Sequence, residues 1–326
     1  MHFSRAETVQ ISSRKVAFTA KIQTMQEVFR IILLLLISVL PALFLLWFFE
    51  KQDKGEKEPR KLKNRVFFWG VLTTIIAAGI EINADALIPS SMNKWVYFFI
   101  IAFVTTAVIE EALKFFVVKH TAYDNKKYNE VMDGITYTII AGLGFAMLEN
   151  ILYVMQGGFS LGVMRAILAV PAHALFSGIM GYYIGKAKFE KTPWDARRAL
   201  WTGFGFAVLY HGLYDYFLLT GSYLVFAVVP LMVWMAAQLR HLINKARFED
   251  KSQKNPPSPL DFKRGIKIIS ATIFVMVGAL SFAGTFVLIR DKSQDYSYMD
   301  LLYSGILALV LFAAAFLLIR RRKIDK

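Results

Sequence analysis

Residues 31–49, IILLLLISVLPALFLLWFF, run for 19 positions without one ionisable side chain. At a rise of 1.5 Å per residue, a helix of that length comes close to crossing the ~30 Å hydrocarbon core of a bilayer. The run is closed by Glu50 and by segment 51–65, which carries seven Lys and Arg. Eight more runs follow the same grammar, at 66–88, 95–118, 133–155, 161–184, 199–219, 223–242, 266–289 and 299–319. Trp47, Trp69, Trp95, Trp201, Tyr223 and Tyr298 stand near their ends, where amphipathic rings settle at the headgroup level. The reading is an all-α polytopic bundle of about nine transmembrane helices, with no transmembrane sheet.

Composition agrees. The chain is 56% hydrophobic with a mean hydropathy of +0.46, above the ~45–50% apolar content of soluble domains. It has no cysteine, which removes disulfides, a thiolate nucleophile and Cys-ligated metal centres from consideration. The net charge of +14 sits in short loops that flank apolar runs, so it marks topology rather than nucleic-acid binding. Segments 51–65, 119–132, 186–198, 240–267 and 320–326 hold 28 Lys and Arg, against 3 in the loops between them. That alternation predicts a plasma-membrane protein with its N-terminus outside and its C-terminus cytoplasmic. Residues 1–30, read as an N-terminal tail, carry Arg5, Arg14, Lys15, Lys21 and Arg30 on the wrong side for this rule. An initiation at Met25 rather than Met1 would account for them.

The chain divides further. Residues 31–247 form a seven-helix core, 248–265 a linker with Pro256, Pro257 and Pro259, and 266–326 a two-helix hairpin with a basic tail. Apart from Lys267 and Asp300, each at the second position of its run, neither apolar run of the hairpin contains a charged residue.

The core is different. Its spans contain Glu81, Asp85, Glu110, Glu111, Lys114, Glu149, Arg165, His173, His211 and Asp215. At about 2.5–3.5 kcal/mol for each charge at mid-helix, the naive insertion cost is on the order of 20 kcal/mol. Pairing, water or a metal has to offset it, so these groups are expected to face one another. Glu110 and Glu111 lie four and three residues before Lys114, within reach of one ammonium. His211 and Asp215 share a helix face, as do Phe145 and Glu149, and Asn150 follows directly. Glu81 and Asp85 fall near the outer end of the second span and read as solvated or structural. Arg165 reads as snorkelling outward, and His2, His120 and His241 receive no role. Straight helices would leave Glu110 and Glu149 roughly 10–15 Å apart in depth.

A buried glutamate can act as general base on water, and an imidazole can ligate a metal or, when protonated, donate to an oxyanion. A carboxylate one turn from a histidine fixes its tautomer. Hydrolysis by activated water fits this inventory of acids and imidazoles. Glu149, His173, His211 and Asp215 are the candidate ligands for a divalent metal such as zinc. No H-E-x-x-H helix and no G-x-S-x-G elbow is present. A proton-coupled transporter would also place acids and imidazoles at mid-membrane, and a non-catalytic scaffold is a third reading. No internal repeat relates the two halves, which counts against the transporter.

The ordered series Glu110-Glu111-Ala-Leu-Lys114, Phe145-Ala-Met-Leu-Glu149-Asn150, His173 and His211-Gly-Leu-Tyr-Asp215 resembles the motifs of the PrsW family, over roughly residues 31–245. That family is distantly similar to the CAAX-processing and bacteriocin-processing group, which has Arg where Lys114 stands and His where Glu149 stands. The resemblance implies an intramembrane protease in which Glu110 and Glu111 lead the catalytic set and Glu149, His173, His211 and Asp215 complete it, with Lys114 and Asn150 in support, and whose partners are the bilayer and a single-span membrane protein. It further implies first-site cleavage of an anti-sigma factor on its extracytoplasmic side.

Overall fold

The computed structural model describes residues 5–52, 57–89, 91–221 and 223–250. All regular structure among them is helical: α1 (Arg5–Gln52), α2 (Arg60–Asp85), α3 (Lys94–Phe99), α4 (Val108–Thr121), α5 (Val131–Ile167), α6 (Ala169–Phe189), α7 (Pro193–Leu219) and α8 (Val228–Glu249). The linker and C-terminal hairpin expected beyond residue 250 lie outside the described residues.

Five stretches are long and apolar enough to cross a membrane: Phe18–Lys51, Arg60–Asp85, Lys94–Thr121, Val131–Phe189 and Leu224–Glu249. The fourth runs for 59 residues and turns back on itself. Gly158, at φ 74°, occupies a backbone region that side chains with a Cβ avoid, and there the chain reverses. Beyond it α5 resumes for one short stretch, and α6 then descends antiparallel to the first part of α5. The pairing of Val131 with Gly185, Gly134 with Gly181 and Gly142 with Ser177 fixes that direction. α7 is not in this set; beyond Arg198 its apolar run is interrupted by His211 and Asp215.

α5 is the centre of the bundle. Every residue from Val131 to Ala146 is buried, as expected of a helix that is apolar on all faces. α1, α2 and α6 enclose it. On α2, Gly70 lies against Ala141, and Thr74 Oγ1 donates to the Phe145 carbonyl at 3.1 Å, so α2 and α5 run parallel in one register. α8 closes the far side. Its C-terminal Asp250 accepts the Val131 and Met132 amides at 2.7 and 3.0 Å, placing a carboxylate on the N-terminus of α5. Burial pushes that carboxyl up to about 6 even though these two amide bonds oppose the shift.

The α5–α6 contact is backbone against backbone. A Cβ added at Gly134 would overlap the Gly181 carbonyl and the Gly185 nitrogen, neither of which can rotate away. Gly134→Val is expected to cost at least ~1–3 kcal/mol, read as a lower unfolding temperature in detergent. An unchanged temperature would show that the two helices do not meet at this point.

Candidate active site

α3 does not pass smoothly into α4. Between them Ile100–Ala107 forms a π-helix, a widened turn often found beside functional residues. Three and four residues past its end, Glu110 and Glu111 are both buried, at 3% and 0% exposure. α7 meets the widened turn closely: a Cβ at Gly212 would overlap the Phe103 ring, so the glycine after His211 lets that histidine reach α4.

Lys114 is the hub. Its fully buried ammonium donates to Glu110 Oε2 at 3.0 Å and to Glu111 Oε1 at 2.8 Å, and lies 3.0 Å from His173 Nδ1. The Phe145 ring faces it at 4.4 Å, a cation–π contact that accounts for the phenylalanine one turn before Glu149. An ammonium has only protons to offer, so His173 Nδ1 is the acceptor and the ring proton sits on Nε2. That nitrogen lies 2.8 Å from Glu149 Oε2. One imidazole thus spans the depth that separates Glu149 from the α4 acids, which straight helices alone would have left open.

His211 is placed differently. Its Nδ1 is 2.9 Å from Glu111 Oε1 and its Nε2 is 3.2 Å from Asp215 Oδ2, so both ring nitrogens face carboxylates. The ring stacks on Phe176 at 4.7 Å between centroids and meets the His173 ring edge-on at 5.4 Å. All six candidate catalytic residues therefore belong to one connected cluster, contributed by α4, α5, α6 and α7.

The grouping of possible metal ligands differs from expectation. Glu149 with His173, and His211 with Asp215, are two separate pairs. Among the described residues, the donors that converge within 4.8 Å of one another are Glu110, Glu111 and His211. Two carboxylates and an imidazole suit a zinc-like divalent ion that keeps a position open for water. Glu111 Oε2 fits that role: it is buried and takes no hydrogen bond from the protein, while Oε1 takes two.

The reading of Arg165 changes. Arg165 does not snorkel outward. Its guanidinium lies 2.9 Å from Glu149 Oε1, donates to Asn150 Oδ1 at 2.8 Å and covers the Tyr153 ring at 4.2 Å. Position in an apolar run near a loop cannot separate the two cases. A guanidinium fifteen residues past an Asn in a hairpin could have been the signal. Glu81 is not simply solvated either. It lies two turns beyond Thr74 on the α2 stripe that meets α5, with Oε1 buried and without a hydrogen-bond partner. Its carboxyl group is close enough to Glu110 and Glu149 to interact with them electrostatically.

The described residues make an all-α integral membrane protein with acids, imidazoles and an ammonium interlocked in its interior. Residues 58–238 match the family described as PrsW family intramembrane metalloprotease. The chain is 36% identical over 226 residues to Protease PrsW of Geobacillus kaustophilus (strain HTA426), covering 68% of this chain and 95% of that protein. It is 34% identical over 200 residues to Protease PrsW of Bacillus subtilis (strain 168), covering 61% and 88%. No solved structure matches it. The chain belongs to the PrsW family of intramembrane metalloproteases, and it is a peptidase.

Proposed function

We propose that the protein cleaves a peptide bond of a single-span, membrane-anchored protein, with water as the nucleophile and the α4–α7 cluster as the site. An anti-sigma factor cut on its extracytoplasmic side is the substrate class that the motif resemblance implies. The observation that carries the reading is the Glu111 carboxylate, pinned at Oε1 by Lys114 and His211 and left free of protein partners at Oε2. A buried acceptor of that kind is where a water or a metal ion belongs.

Glu110, Glu111 and His211 would hold a divalent ion, which when bound supplies Lewis-acid polarisation of the carbonyl and a more acidic water. The chain's own groups do the rest. Lys114 fixes both α4 carboxylates and neutralises part of their charge. The attacking water loses its proton to the Glu110–Glu111 pair as its oxygen bonds the carbonyl carbon. That proton ends on the amine nitrogen when the C–N bond breaks. Glu149 orients the His173 imidazole; His211 gives its Nδ1 proton to Glu111 Oε1, which leaves Nε2, the nitrogen beside Asp215, as the one that could ligate the ion. In the membrane we place nine passes, with the N-terminus outside, the C-terminus cytoplasmic and a seven-helix core followed by a two-helix hairpin; the alternation of Lys and Arg supports that topology.

The test is cleavage of a single-span substrate by the purified chain, by Glu110→Gln and by His211→Ala, each with and without a chelator. Loss in both variants and with chelator is expected. Full cleavage by both variants would remove the cluster from the mechanism; cleavage indifferent to chelator would remove the metal and leave the glutamate-activated water.

A further inference from the structure

The return limb of the α5–α6 hairpin does more than close a loop. After the reversal at Gly158, residues Phe159, Val163 and Ala166 pack against a small apolar cluster of Leu34, Ile37 and Val154. That anchoring turns Arg165 toward α5, where only 16% of its side chain remains exposed. There it meets three partners at once. Glu149 Oε1 is 2.9 Å away, Asn150 Oδ1 accepts from Nε at 2.8 Å, and Tyr153 lies beneath the guanidinium plane at 4.2 Å.

Glu149 spends its other oxygen on His173. Its Oε2 lies 2.8 Å from Nε2, and the far side of that ring meets Lys114 at 3.0 Å. The chain of contacts therefore runs Arg165, Glu149, His173, Lys114 and then to the α4 carboxylates. Without the guanidinium, Glu149 would be a buried carboxylate with one imidazole for company, free to rotate away from it.

We propose that Arg165 is a positioning residue of the peptidase site, holding Glu149 and Asn150 in the arrangement that presents His173 to Lys114. The inference rests on the reading of this cluster as the site of peptide hydrolysis. The planar fork matters as much as the charge. Two nitrogens of one planar group meet the Glu149 carboxylate and the Asn150 amide together, whereas a lysine offers a single point.

Steady-state cleavage of a single-span substrate by the full-length wild type, Arg165→Lys, Glu149→Gln and the double variant tests it. Arg165→Lys keeps the buried charge and is expected to unfold at the wild-type temperature. Its kcat should fall ~10–100-fold, as for other residues that orient a site through a neighbour, with KM within about twofold. In the Glu149→Gln background the same substitution should change kcat by less than about threefold, because its route to the site has been cut. A wild-type kcat in Arg165→Lys, or losses that simply multiply in the double variant, would overturn the inference while the peptidase reading stands. A wild-type chain that cleaves no single-span substrate would instead overturn that reading, and this inference with it.

Discussion

Glu111→Gln is expected to reduce cleavage ~10²–10⁴-fold, the range over which a positioned acid–base group contributes, while leaving the fold intact. The substitution is nearly isosteric. The amide oxygen it introduces can still accept from Lys114 and His211, which in the wild type meet the carboxylate at 2.8 and 2.9 Å. What is lost is the second oxygen, the buried Oε2 that has no protein partner. An amide at that point donates where a carboxylate accepts. It can neither take the water's proton nor ligate a cation. Cleavage kinetics, with unfolding temperature as the control, decide the matter. Cleavage within a few fold of wild type would mean that the proton goes elsewhere and that Glu111 is only part of an ion pair.

Lys114→Met is expected to have the largest effect on stability. Three groups converge on that ammonium: Glu110, Glu111 and His173, all within 3.0 Å. Breaking a buried ion pair by removing one partner costs about 3–5 kcal/mol, because the charge left behind stays buried. Here two carboxylates are left. The expected outcome is a large fall in unfolding temperature or failure to accumulate in the membrane, together with loss of cleavage. Adding Glu110→Gln to Lys114→Met removes one stranded charge and should recover part of the stability without recovering activity. If Lys114→Met were as stable as wild type, the carboxylates would have to be neutralised by something other than the ammonium.

The two predictions separate roles that a single deletion would confuse. Glu111 is tested by a change that preserves packing and removes chemistry. Lys114 is tested by a change that removes charge balance, from which loss of chemistry follows. A rescue limited to stability in Lys114→Met with Glu110→Gln would place the lysine in the framework of the site, with the acids as its working groups.

Much of this was legible without coordinates. The run at 31–49 and its successors required helices in a bilayer, since in hydrocarbon every backbone amide must be satisfied within its own segment. The cost of charges in oil singled out Glu110, Glu111, Lys114, Glu149, His173, His211 and Asp215 and demanded that they meet. The spacing of Glu110 and Glu111 from Lys114, and of His211 from Asp215, told which neighbours share a helix face, because those contacts are local.

Contacts between helices were another matter. Periodicity orients a residue about its own axis but says nothing of the depth or rotation of the next helix. Tertiary structure alone decided that His173 bridges Glu149 to Lys114, that Glu111 sits between Lys114 and His211, and that Glu110, Glu111 and His211 are the donors that converge. It also reversed the reading of Arg165. An arginine near the end of an apolar run can reach water or a buried carboxylate with equal ease. Which it does depends on the turn at Gly158 and on the apolar contacts that hold the returning limb against α1. The sequence determined that costly groups had to find partners; the way the helices dock determined which partners they found.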